Sequence, residues 1–142
     1  MLIFFTCLLI LDVNEAPSDI TLSATSVYEN EPDTLVGRVT VDDPDIGQRH
    51  RCTVHDRVVN GNFNSGRTSN FFTVDALLNL KTLSGLNFEA HHSLDIWINC
   101  SDIVANSLFR TQLFTIFVKG KLADQLLTCL DVRQETKVEV RW

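Results

Sequence analysis

The chain has 142 residues, of which 44% are hydrophobic and 21% are charged. This length and balance are typical of one globular domain with a packed core, and they leave little room for a second domain. The net charge of −6 disfavours a nucleic-acid partner, because phosphates attract a basic surface, whereas it is compatible with the binding of a cation.

The chain begins with an apolar run, MLIFFTCLLIL, that carries no charged side chain over residues 1–11. The run is too short to span a bilayer, which takes about 20 apolar residues. It has the length of the hydrophobic part of a secretory signal, but it lacks a basic start and a small-x-small cleavage site. Two interpretations stay open, a degenerate signal peptide and the end of a preceding strand in a longer protein, and we favour the second.

Short runs that alternate between apolar and polar residues follow, and turn signals separate them, whereas helical periodicity is nearly absent. The runs are TLVGRVTV, HRCTVH, FFTVD, ALLNLKT, SLDIWINCSD and LFTIFV. The first run places four residues on the predicted core face, Leu35, Gly37, Val39 and Val41. About seven strands in roughly 100 residues predict an all-β, seven-stranded antiparallel Greek-key sandwich of the immunoglobulin-like type.

Two of the four cysteines, Cys52 and Cys100, fall on core-facing positions of predicted strands. Either they form an inter-strand disulfide, as an extracellular location would allow, or they pack as buried free thiols. We favour the disulfide. Cys7 and Cys129 have no predicted partner, and no pair of cysteines has the CxxC spacing of a zinc site.

Three features of the predicted loops and outer faces indicate a function only weakly. Asn99, Cys100 and Ser101 form a glycosylation sequon whose Asn side chain points away from the core, although short sequons are common and a central Cys weakens acceptance. Trp97 is predicted to lie on the outer face and to cover a neighbouring strand or loop. The pair at residues 91–92, two histidines, has no third metal ligand nearby and is interpreted as a solvated loop.

Carboxylates are concentrated in the stretch VDDPDIGQ, where Asp42, Asp43 and Asp45 lie within four residues. Asp and Pro are ordinary turn residues, so the stretch alone predicts only a surface turn. In an extended segment, however, Asp43 and Asp45 project to the same side and Asp42 to the other. The two carboxylates on one side would repel each other unless a cation lay between them.

Other acidic and amide residues recur at the predicted strand ends, in the order DVNEAP at 12–17, EN at 29–30, DPDIG at 43–47, LNFE at 86–89 and Asp102. This ordered set resembles the extracellular cadherin repeat, which shows a DxNDN-type linker, a Glu-Asn pair, a DxD followed by Gly, an LDRE-type motif and a strand-ending Asp. The resemblance covers about residues 12–118. It implies a cadherin-like sandwich that binds Ca²⁺, a cation that takes six to eight oxygen ligands, through Asn14, Glu15, Glu29, Asp43, Asp45, Asn87, Glu89 and Asp102.

The resemblance also implies where these ligands lie. Asn14, Asp43, Asp45 and Asp102 would lie at the N-terminal end of the domain, with Glu15 of the linker, and would bind ions shared with a preceding repeat. The remaining three, Glu29, Asn87 and Glu89, would lie at the opposite end and face a following repeat.

The sequence departs from the family pattern at three places. Asn87 replaces an Asp, and Arg49 replaces an Asn that would supply a ligand, which leaves only its backbone carbonyl for that role. After the last predicted strand the family continues with another linker, whereas this chain reads Lys119, Gly120 and Lys121. We therefore expect weak or absent calcium binding at the C-terminal end.

These observations predict a linker at residues 12–17, a cadherin-like domain at 18–119 and a tail at 120–142 that we do not assign. The expected function is that of a calcium-binding adhesion module, extracellular, in a secreted or membrane-anchored parent protein that carries the anchor elsewhere. The expected partners are adjacent repeats of the parent chain and cadherin ectodomains on neighbouring cells. The alternative is a non-adhesive spacer repeat, and an enzyme is not expected because no Ser-His-Asp or Cys-His arrangement stands out.

Overall fold

The computed structural model describes residues 13–57, 67–104 and 107–121. The predictions made for the apolar run at residues 1–11 and for the tail beyond residue 121 fall outside this part of the chain. No helix among the described residues is long and apolar enough to cross a membrane.

The described residues form two four-stranded sheets that pack face to face. One sheet has the order β1-β3-β6-β5 and the other β2-β8-β7-β4. The strands are β1 Asp19–Leu22, β2 Ser26–Tyr28, β3 Leu35–Asp42, β4 His50–Asp56, β5 Phe72–Val74, β6 Asn79–Thr82, β7 Ser93–Asp102 and β8 Phe109–Lys119. The all-β sandwich predicted from the alternating runs is confirmed.

The strand count is eight rather than seven because the first segment of the domain divides between the two sheets. β1 pairs antiparallel with β3, whereas β2 pairs in parallel with β8. Gly37 of β3 lies against this crossing, and a Cβ atom there would approach the backbone O and N of Ala24 to 2.7 and 2.8 Å. The absence of a side chain at Gly37 thus lets the chain pass between the sheets, and one parallel pair enters a sandwich predicted to be antiparallel throughout.

The core lies between the two sheets and is built from the inward residues of nearly every strand. Ile20 and Val39 contribute from the first sheet, and Ile98 and Ile116 from the second, each with 1% or less of its surface exposed. Burial of such a side chain stabilises the fold by about 1.5–3 kcal/mol. The alternation seen in the sequence therefore corresponds to a continuous apolar layer.

One predicted core residue is wrong. Leu35 is 57% exposed, whereas its neighbour Val36 is buried. The register of β3 against β6 shifts between Leu35 and Gly37, which is a β-bulge. A bulge adds one residue to a strand and reverses which side chains face inward, so the alternation holds only from Gly37 onward.

The predicted disulfide between Cys52 and Cys100 is confirmed. The two cysteines lie directly opposite each other in β4 and β7, with a distance of 4.1 Å between their Cα atoms. Cys7 and Cys129 lie outside the described residues. The bond therefore joins neighbouring strands of one sheet, and both cysteines are part of the core.

The tryptophan on the outer face and the two histidines in the loop contact neighbouring side chains. Trp97 is half-buried between His55 and Leu113, which are its cross-strand neighbours. The rings of His91 and His92 pack edge-on against phenylalanines, His92 at 4.5 Å from the ring of Phe88. The histidine pair is therefore in a loop, as predicted, but both rings make aromatic contacts.

Candidate metal centre

Three strand ends and the segment before β1 meet at the N-terminal end of the domain. β3 ends at Asp42, so Asp43 and Asp45 begin the connection to β4. Asp102 is the last residue of β7, opposite the first residue of β4. Asn14 reaches the same place from the chain segment that precedes β1, because Ser18 donates its backbone N–H and hydroxyl to the carbonyl of Asp42.

Hydrogen bonds join the predicted ligands of this end to one another. Asn14 Nδ2 donates to Asp102 Oδ2 at 3.0 Å, and the backbone N–H of Glu15 donates to Asp45 Oδ2 at 2.7 Å. The backbone N–H of Asp45 donates to Asp43 Oδ1 at 2.8 Å. The five residues predicted for this end thus lie together, whereas Asp42 is exposed, on the other side of the strand.

The turn between β3 and β4 determines how the carboxylates are aimed. Gly47 has a φ of +83°, a left-handed conformation that glycine adopts without strain. The N–H of Gln48 then returns toward the carbonyl of Asp45 at 3.4 Å, and Gln48 Nε2 donates to Asn14 Oδ1 at 2.7 Å. The turn and the cation-binding interpretations of this stretch are therefore compatible, because the turn holds the carboxylates in place.

His50 belongs to the same cluster and was missed in the sequence. Its Nε2 lies 2.7 Å from Asp43 Oδ2 and 3.7 Å from Asp102 Oδ1, and its side chain is only 10% exposed. The signal that could have found it is the alternation of β4, since residue 50 shares a face with the core residues Cys52 and Val54. A polar side chain on the core face at a strand end points into the space between the strand ends.

The environment of Asp43 favours its ionised form. Burial works to raise the pKa of this carboxyl, but the hydrogen bonds from His50 and from the N–H of Asp45, together with the charge of His50, hold the pKa below its usual value. Asp43 therefore remains an anion in a nearly buried position.

Asp102 is the most deeply buried carboxylate of the cluster. The residue is 3% exposed, and its Oδ1 atom has no hydrogen-bond partner among the described residues. A buried carboxylate oxygen without a partner is costly unless a cation meets it. A carboxylate oxygen of Asp43 lies within 4.8 Å of a carboxylate oxygen of Asp102, and carboxylates are ligands that calcium prefers, so these residues fit that ion.

The carbonyl of Arg49, the alternative ligand at that position, accepts the N–H of Ile103 at 2.9 Å. This bond ties the start of β4 to the chain beyond β7. The carbonyl oxygen of Arg49 therefore already accepts a backbone hydrogen bond within the domain.

The opposite end of the domain contains Glu29, Asn87 and Glu89. β7 begins there and ends at Asp102, so its ten residues separate the two ends by about 30 Å. Glu29 is buried, and its carboxylate accepts the backbone N–H of Phe88 at 3.3 Å and that of Lys121 at 3.0 Å. Its charge thus stabilises the loop before β7 and the chain after β8.

Asn87 and Glu89 are not drawn into a cluster with Glu29. Asn87 Oδ1 accepts the N–H groups of Glu89 and Ala90, at 2.8 and 3.3 Å, and so stabilises a turn. The side chain of Glu89 is exposed. Among the described residues, no hydrogen bond or ion pair joins the side chains of Glu29 and Glu89. The Lys121 ammonium lies nearby, 3.0 Å from Glu31.

Comparison with solved structures identifies the fold. The chain is similar to protocadherin gamma B2 extracellular cadherin domains 3-6, with a TM-score of 0.60 and 20% identity over 78% of this chain and 26% of that chain. It is similar to human CDH23 EC21-23, with a TM-score of 0.57 and 19% identity over 78% and 37% of the two chains. It is also similar to human mucin-like protocadherin EC1-2, with a TM-score of 0.55 and 18% identity over 78% and 56%.

These likenesses show that the chain has the fold of an extracellular cadherin repeat. It spans between 26% and 56% of the lengths of those three chains, as one repeat of a multi-repeat protein would. No protein-family model matches the sequence, and no curated protein matches it.

Proposed function

We propose that the chain is a calcium-binding extracellular repeat that acts in cell adhesion, with its calcium site at the N-terminal end of the domain. The observation that carries this proposal is the buried Oδ1 atom of Asp102, which has no hydrogen-bond partner among the described residues and lies beside the carboxylate of Asp43. Asn14, Glu15, Asp43, Asp45 and Asp102 would hold the ion, and a preceding repeat would supply the remaining ligands.

Calcium would act mechanically at this junction. Without a divalent ion, the carboxylates at the strand ends repel one another and the linker at residues 12–17 is held by a few hydrogen bonds, such as that from Glu15 to Asp45. A shared ion offsets the repulsion and bridges the linker to the domain at 18–119. The consequence is a stiffer junction between consecutive repeats, and the domain itself would have no enzymatic role.

The C-terminal end would bind calcium weakly or not at all. The carboxylate of Glu29 already accepts backbone N–H groups, and Glu89 is exposed and separate from it. The lysine at position 121 adds a positive charge where a linker carboxylate would be needed.

The proposed partners are adjacent repeats of the same parent chain and, for adhesion, cadherin ectodomains on neighbouring cells. The Cys52–Cys100 disulfide supports an extracellular location, because disulfides persist in oxidising surroundings. Either a secreted protein or one anchored to the plasma membrane outside this chain would present the domain there.

A second candidate is a non-adhesive spacer repeat that binds little or no calcium in isolation. His50 favours this candidate, because its Nε2 atom already lies 2.7 Å from Asp43 Oδ2, an oxygen that calcium would otherwise bind. The ion would then bind tightly only when a preceding repeat adds its ligands.

Thermal unfolding with calcium and with a chelator tests the proposal. At a calcium concentration of 100 times Kd, binding stabilises the folded chain by about 2.7 kcal/mol, a rise of about 10 °C in Tm for a domain of this size. Asp43→Asn should abolish the rise, and Glu89→Gln, at the other end, should leave it unchanged. No rise in the unchanged protein would favour the spacer, and a rise that depended on Glu89 instead of Asp43 would contradict the assignment of the ends.

A further inference from the structure

We propose that Asp43, His50 and Asp102 form a second kind of metal site, for a first-row transition metal ion such as Zn²⁺. The site uses two of the carboxylates assigned to calcium, but its binding of Zn²⁺ does not depend on whether calcium binds there. What distinguishes it is the imidazole nitrogen of His50.

The three side chains already lie close to the geometry that zinc requires. Each residue offers one ligand atom, and these three atoms all lie within 4.8 Å of one another. Tetrahedral ligands at about 2.0–2.2 Å from zinc are separated by about 3.3–3.6 Å. His50 Nε2 lies 2.7 Å from Asp43 Oδ2 and 3.7 Å from Asp102 Oδ1, so these separations bracket the required value.

The unpartnered oxygen of Asp102 is an independent indication of a ligand. Its side chain is fully buried, and the hydrogen bond of His50 goes to Asp43, which leaves Asp102 Oδ1 without a hydrogen-bond partner in the described part of the chain. A divalent ion in this position meets that oxygen and balances the charge of the two carboxylates, with His50 as a neutral ligand. The three protein ligands leave a fourth position for water or for a group from a neighbouring molecule.

The nitrogen ligand discriminates between metals. Calcium takes oxygen ligands, whereas imidazole suits zinc, copper, iron and nickel. His50 must therefore be displaced for calcium to approach Asp43 closely, but it binds a transition metal directly. His50 also lines a surface cavity of about 470 Å³ with Arg51 and Leu78.

The consequence is that His50 should have opposite effects on the two ions. Removing the imidazole removes a zinc ligand and at the same time removes a group that competes with calcium for Asp43. If His50 merely stabilised the fold, its replacement would not weaken the binding of one ion while the binding of the other stayed the same or became tighter.

Titration of the full chain with zinc chloride by calorimetry tests the proposal, with Cys7 and Cys129 alkylated beforehand and the Cys52–Cys100 disulfide intact. The unchanged protein should bind one Zn²⁺ per chain. His50→Gln should weaken this binding at least tenfold. His92→Gln is the matched control, since His92 is exposed and packs against Phe88 at the other end of the domain, and it should bind zinc as the unchanged protein does.

Three further measurements keep the outcome decisive. Co²⁺ in place of zinc should give the intense visible bands of a four-coordinate ion in the unchanged protein, and NMR of the unchanged protein should show a change at the His50 ring nitrogens, which covers the case of a variant that fails to fold. Calcium titration separates the two proposals, because zinc binding without calcium binding rejects only the proposed function. Zinc affinity that His50→Gln leaves unchanged, or no change at the His50 ring, overturns the transition-metal site.

Discussion

Asp95, on the outer face of β7, shows how one carboxylate adds to stability at neutral pH. Its Oδ1 accepts the hydroxyl of Thr115 at 2.7 Å, and its Oδ2 accepts Arg57 at 2.7 Å. The hydrogen bond from Thr115, followed by that from Arg57, holds the pKa of Asp95 below its usual value, although burial works in the opposite direction. The folded state therefore binds a proton on Asp95 less readily than the unfolded chain does.

Thr115→Val should lower the free energy of unfolding at pH 7 by about 1 kcal/mol, because a hydrogen bond to a charged group is lost at a partly exposed site. A depressed pKa stabilises the fold fully above the unfolded value of about 3.9 and ceases to do so as the pH falls through the lower folded value. The difference between the two proteins should therefore shrink as the pH falls below about 4. Denaturant unfolding across pH measures it.

The control is Thr111→Val, because Thr111 donates to the neutral amide of Asn99 at 3.2 Å. Its effect should not depend on pH in the same range. A Thr115→Val difference that stayed constant from pH 7 to pH 2 would contradict the role assigned to Asp95.

The residues proposed for the metal centre were predictable to the extent that spacing along the chain reveals them. Asp43 and Asp45 could be inferred from their separation by one residue, and Asp102 from its place at the end of an alternating strand. His50 could not be chosen with the same ease, because its role depends on β4 lying beside β7. The engagement of Glu29 by backbone N–H groups likewise depends on two distant loops meeting at its side chain.

At the scale of the strands, the alternation of apolar and polar residues predicted that the chain forms β-strands, but it did not predict two irregularities. The bulge at Leu35 and the passage of the chain from β1 to β2 both depend on the partner strand, which local sequence does not specify. The parallel pairing of β2 with β8 is a consequence of that passage. Gly37 is the residue on which the passage depends most directly.

Gly37→Ala should destabilise the domain by about 1–3 kcal/mol, since the new Cβ atom would meet the backbone of Ala24 rather than a flexible side chain. Thr40→Ala, at an exposed position of the same strand, is the control and should cost much less. Urea unfolding of both variants measures the difference. Equal stabilities would mean that the crossing does not need the close contact at Gly37.

At the scale of the whole molecule, one disulfide joins the strands on which the proposed metal centre depends. β4 supplies His50 and β7 supplies Asp102. The Cys52–Cys100 bond lies two residues after His50 in β4 and two residues before Asp102 in β7. The disulfide thus constrains the pairing of the two strands close to this end of the domain.

Replacement of both cysteines, Cys52→Ala with Cys100→Ala, should lower the free energy of unfolding by about 4 kcal/mol, from the chain entropy of a loop of 48 residues. The double variant Cys7→Ser with Cys129→Ser controls for the loss of thiols and should change stability little. Chemical denaturation under non-reducing conditions measures both. A loss of less than about 1 kcal/mol in the first variant would show that the bond constrains the unfolded chain much less than this model requires.

The two ends of the domain differ, and this difference is the central claim about its function. The most direct measurement is an NMR titration of the full chain with calcium that follows the backbone amides bonded to the two sets of carboxylates. The amides of Glu15 and Asp45 should shift and saturate together, since their N–H groups donate to Asp45 and Asp43. The amides of Phe88 and Lys121, which donate to Glu29, should stay unchanged. Saturable shifts at Phe88 and Lys121 with none at Glu15 and Asp45 would contradict the account.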